Sequence, residues 1–86
     1  MHEFSLMANL LRKIERVARD NDARRVTSVT VRLGALSHIS AEHFREHFVE
    51  GVRGTVADGA SLEVETSDDT ADPNAQEILL RRIAVE

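Results

Sequence analysis

The chain contains no cysteine. That absence removes disulfides, thiolate-ligated zinc and cysteine nucleophiles, and it agrees with a reducing compartment. Tryptophan and tyrosine are also missing, and the only aromatics are Phe4, Phe44 and Phe48. The core must therefore rest on Leu, Ile and Val, and no aromatic platform is available on which bases could stack. No apolar run is long enough to cross a bilayer, and none follows a charged start as a secretory leader would. The expectation is a cytoplasmic protein with no membrane partner.

What is present fits one small domain. The 86 residues are 42% apolar and 30% charged, an ordinary balance for a globular chain with a modest core and a thin stability margin. Formal net charge is −4. Arg12, Lys13, Arg16, Arg19, Arg24 and Arg25 are interleaved with Glu15, Asp20 and Asp22. This mixture reads as a solvated helix face. A nucleic-acid footprint would need a basic surplus, so no nucleic-acid partner is expected.

Phe4, Leu6, Met7, Leu10, Leu11, Ile14, Val17 and Ala18 recur at steps of three and four, which predicts an amphipathic helix from about residue 5 to 21 with Ser5 as its cap. Val26 to Leu33 alternates as a half-buried strand ended by Gly34. Ser40 then has the place of a helix N-cap, with Ile39 and Phe44 spaced as a hydrophobic staple, and the helix runs to about Gly51. Ser61 to Thr66 alternates as a second strand. Residues 67–76, SDDTADPNAQ, are acidic, hold the only proline and have no apolar periodicity, which predicts an exposed connector. Glu77 to Glu86 gives the last strand, with Leu79, Ile83 and Val85 on one side and Ile78 and Leu80 on the other. The order α-β-α-β-β implies the α+β class: two helices packed on a three-stranded sheet in a single two-layer domain over residues 1–86.

Four histidines carry the chemistry. His43 and His47 stand four apart on one helix face, a spacing that can hold a metal ion. With Glu46 they match the HxxEH pattern of some zinc peptidases. That reading requires a third ligand, a substrate cleft and a larger scaffold, so a surface metal site is the more economical one. Phe44 and Phe48 take the buried face and leave both histidines at its flank or in solvent. His38 falls in the loop after the first strand. His2 stands beside Glu3 at the start of the chain.

Five stretches taken together carry a resemblance. They are Met1-His2-Glu3-Phe4-Ser5-Leu6, Val31-Arg32-Leu33-Gly34-Ala35-Leu36-Ser37, Phe44 through Phe48, Gly54 through Val64, and Arg81 through Glu86. In this order and spacing the chain resembles the HypA/HybF family of hydrogenase-maturation nickel metallochaperones. It departs from the family pattern at one place. The family inserts a zinc-binding domain with two CxxC pairs between the last two strands, and here that place is taken by SDDTADPNAQ. No structural zinc is therefore expected.

The resemblance implies a nickel(II) site made by His2, Glu3 and nearby backbone nitrogens, delivery to a NiFe-hydrogenase large-subunit precursor, and a nickel-handling GTPase as partner. It also implies that the loop carrying His38 lies near the N-terminus, where His38 is either an extra ligand or an exposed loop residue. Ser40 sits where some relatives use a side chain at the nickel site. Serine is a poor nickel ligand, and the capping role already accounts for it.

The chemistry is consistent with nickel. Nickel(II) favours imidazole and other nitrogen donors and accepts square-planar geometry. An imidazole at position 2 lies close to its own amide and to the terminal amine, and Glu3 adds a carboxylate as an axial ligand or an outer acceptor. The bulk of His2 also disfavours removal of Met1. The expected function is that of a nickel-binding accessory protein with no catalysis of its own, since no nucleophile, base and oxyanion site come together. The alternative is an interaction module on a hydrogenase-related complex without nickel delivery, in which open strand edges serve homodimerisation or partner docking.

Overall fold

The computed structural model describes residues 2–86, with side chains from Leu6 onward. Helix α1 spans His2–Asp20. It begins about three residues before the predicted start, so Ser5 lies inside it and is not its cap. The predicted core role of the Phe4 side chain lies outside the described residues. Met7, Leu10, Ile14 and Ala18 are buried along one stripe, as their spacing requires. The exit is a Schellman turn. Asp22 takes the left-handed conformation at φ 50, Ala23 N donates to Ala18 O at 2.9 Å, and Asp22 N donates to Arg19 O at 3.1 Å. The Asn21 side chain donates to Val17 O at 2.7 Å and satisfies another terminal carbonyl.

Strand β1 (Val26–Leu33) leads through a loop to α2 (Ala41–Gly51), then β2 (Ser61–Thr66) and β3 (Ile78–Val85). The sheet order is β2-β1-β3, with β1 parallel to β2 and antiparallel to β3. Because β1 and β2 run in the same direction, the chain between them must cross over, and α2 forms that crossover. The strand with a neighbour on each side is β1, and it is the most apolar in place: Val29, Val31 and Leu33 are buried. With α1 and α2 on the same side, these residues meet Phe44, Phe48 and Val52 in one core, flanked by Leu62 and Val64 of β2. Two helices on one face of a three-stranded mixed sheet make the two-layer α+β domain that the pattern predicts.

Simple alternation fails in β3. Val29 pairs with Ile83 and Thr30 with Arg82, but Val31 pairs with Leu80, so Arg81 is one residue too many. This bulge changes which side chains face the helices. Ile78, Leu80 and Ile83 belong to the core, whereas Leu79 lies opposite Arg32 and Val85 is exposed.

Ser40 caps α2 as expected. It is extended, at φ −77 and ψ 157, and its hydroxyl accepts from His43 N at 3.1 Å. Ser40→Ala should cost about 1 kcal/mol. A lower urea midpoint at unchanged slope would register it.

Candidate metal centre

The two helices run in the same direction. Leu6, near the start of α1, shares a cavity with Leu36 and with Asp72, Pro73 and Ala75. Midway, Gly51 faces Leu11 so closely that a Cβ at Gly51 would stand 3.0 Å from Leu11 Cδ1. Farther along, Glu15, Ala18 and Arg19 line a second cavity with Gly54, Thr55 and Val56, just past the end of α2. One end of the domain therefore gathers the start of α1, the β1–α2 loop, the start of α2 and residues 67–77.

Residues 67–76 are mostly exposed, but they are held down. Asp69 and Asp72 accept from the amides of Ala71 and Asn74 at 3.0 and 2.9 Å, forming Asx turns. Ser67 N donates to Leu33 O at 3.1 Å, Leu36 N to Ala75 O at 2.7 Å, and Gly34 N to Glu77 O at 2.9 Å. Ala75 is buried. Gly34 makes this contact possible by lacking a Cβ, a role that reading it only as a strand end misses.

The proposed ligands distribute over this end as follows. The side chains of His2 and Glu3 lie outside the described residues. Their backbone belongs to the first turn of α1. Amides of a first turn have no intrahelical acceptor, so they are the ones a metal could engage without breaking the helix ladder. The helix dipole opposes a dication there. Loss of amide protons to the metal would offset that repulsion. His38 is exposed in the β1–α2 loop, in the left-handed region at φ 62, which histidine tolerates better than most residues.

His43 and His47 are brought together. Their Nε2 atoms are 2.9 Å apart and their ring centroids 4.4 Å apart, with the rings 67° from coplanar. His43 is exposed and His47 half-buried, beside the fully buried Phe44 and Phe48. Among the described residues, no group of three or more His, Asp or Glu side chains is close enough to hold an ion together. Among them, too, no helix is long and apolar enough to cross a membrane.

Known proteins resemble the chain in sequence and in fold. Residues 1–74 match the family model described as hydrogenase/urease nickel incorporation, metallochaperone, hypA. The chain is 41% identical over 64 residues to the hydrogenase maturation factor HypA of Archaeoglobus fulgidus, covering 74% of this chain and 58% of that protein. It is 43% identical over 65 residues to the HypA of Aquifex aeolicus, covering 76% of this chain and 56% of that one. The match thus spans little more than half the length of these relatives. The solution structure of the nickel metallochaperone HypA from Helicobacter pylori superposes with a TM-score of 0.77 over 99% of this chain and 97% of the other. At 18% identity, that likeness speaks for the fold alone.

Proposed function

The chain belongs to the HypA family of hydrogenase and urease nickel-incorporation metallochaperones, and from that premise we propose that it serves as a non-catalytic accessory factor in the maturation of a NiFe hydrogenase. The observation that carries this reading is the match over residues 1–74, which runs through α1, the sheet centre and α2. In this role the domain acts first as an interaction module. It docks on maturation partners, among them a large-subunit precursor and a nickel-handling GTPase. The outer strands β2 and β3 each leave an unpaired edge among the described residues, which supports docking or homodimerisation by strand addition. Co-purification of the untagged chain with a large-subunit precursor tests this, and its absence at micromolar concentrations would refute it.

A second reading adds nickel(II) as cargo, held by His2 and Glu3. It is favoured by the place of His2 and Glu3 in the first turn of α1, whose amides have no intrahelical acceptor and are nitrogen donors of the kind square-planar nickel(II) prefers. Such a site would be exposed and exchange readily, as a carrier needs. His2→Ala should weaken nickel binding by about 10- to 100-fold in untagged protein. Equal affinity of the two proteins would remove nickel at this terminus from the reading and leave the docking role intact.

A further inference from the structure

We propose that His43 and His47 form a two-nitrogen clamp for a divalent transition-metal ion of tetragonal preference, nickel(II) or copper(II), on the flank of α2. The proposal does not rest on the terminal nickel reading, because it uses different residues and a different helix.

The distances argue for it. Metal–imidazole bonds are about 2.0–2.1 Å, so two nitrogens bound at a right angle to one ion stand roughly 2.9 Å apart. The Nε2 atoms of His43 and His47 are 2.9 Å apart without any change of backbone or rotamer. The ring positions agree. A linear N–H···N bond would hold the centroids roughly 5 Å apart. Two rings bound at a right angle to one ion bring them to roughly 4.6 Å. The observed separation is 4.4 Å. The rings therefore lean off the line joining their nitrogens, which a bent hydrogen bond allows and two ligands of one ion require.

The right angle also selects the ion. It suits square-planar or tetragonal copper(II) and nickel(II), whereas tetrahedral zinc would spread the nitrogens to roughly 3.3 Å. The scaffold under the pair is rigid. Both residues sit in the regular turns of α2, and Phe44 and Phe48, each directly following one of the histidines, are locked in the core. Further groups of this chain, water or a partner's side chain can take the remaining coordination positions. The site lies at the domain end where α1 begins.

The test uses untagged protein with copper(II) and nickel(II) as probes. The parent is His2→Ala, so that the terminal site does not contribute. This parent should bind one equivalent of copper(II), and pulsed electron paramagnetic resonance should count two imidazole nitrogens on it. Adding His43→Gln and His47→Gln should weaken binding by about tenfold or more and abolish the two-imidazole signature. Both histidines lie outside the buried core, so far-UV circular dichroism should be unchanged. In the same His2→Ala parent, substoichiometric copper(II) should broaden the ring signals of His43 and His47, and nickel(II) should shift them. If the parent and the triple variant bind alike, or if both ring signals stay sharp, the pair is a hydrogen-bonded imidazole pair only and the proposal is overturned. Neither result depends on whether His2 binds nickel.

Discussion

Gly34→Ala should detach residues 67–76 from the end of the domain and lower its stability by about 2–4 kcal/mol. A Cβ at Gly34 would stand 2.2 Å from Ala75 O, 2.5 Å from Ala75 C and 2.7 Å from Asn74 O. All three are backbone atoms, so no rotamer change can relieve the overlap. Either β1 must shift at its end or residues 74–75 must lift. The second course breaks the bonds from Leu36 N to Ala75 O and from Gly34 N to Glu77 O, and it exposes Ala75. Gly54 provides the contrast. Nothing lies within 4 Å of a Cβ there, and only its φ of +78 resists substitution. Gly54→Ala should therefore cost about 1 kcal/mol. Urea unfolding should rank the two variants in that order, and amide exchange at Leu36 should accelerate only in Gly34→Ala. Equal midpoints would mean that the 67–76 segment contributes nothing to the fold.

Most of the architecture was legible because local and global signals agree in it. The three-four spacing of Met7, Leu10, Ile14 and Ala18 admits one buried stripe, and the alternation of Val29, Val31 and Leu33 admits one buried strand face. Ser40 could be read as a cap because its hydroxyl serves an amide three residues on, a purely local bond. What escaped the sequence depends on distant partners. The bulge at Arg81 is defined only against Thr30 and Val31, so alternation alone put Leu79 on the same side as Ile83, which packs against the core with Ile78 and Leu80 instead. An acidic turn-forming stretch such as residues 67–76 reads the same whether docked or free, and only the missing Cβ at Gly34 hinted that something approaches closely.

The candidate metal residues divide in the same way. The spacing of His43 and His47 was visible, and helix geometry made their convergence predictable. That the two helices run in the same direction was not visible, since it depends on how the crossover packs. It is this parallel arrangement that brings the start of α1, the His38 loop and α2 to one end. The terminal motif gains a structural surrounding from it: His2 and Glu3 are not an isolated tail in sequence space but the first turn of a helix whose next turn is held by Leu6 and Met7.

Phe44→Ala should be the most damaging single change, costing about 3–5 kcal/mol. Its side chain is fully buried, Phe48 lies at 6.1 Å between ring centroids, and the two are the largest fully buried side chains among the described residues. A domain of this length holds roughly 5–10 kcal/mol in all, so the variant should lose about half of its margin and unfold at a much lower temperature. Phe44→Leu keeps most of the volume and should cost no more than about 1.5 kcal/mol. The pair also separates helix integrity from ligand chemistry. His43 directly precedes Phe44, so melting α2 must abolish the right-angle geometry of the two imidazoles even though both remain in the chain. Phe44→Leu should then keep the two-imidazole copper(II) signal, and Phe44→Ala should lose it in step with its helical circular dichroism. A two-imidazole signal persisting in unfolded Phe44→Ala would mean that the ion binds the flexible chain and owes nothing to α2.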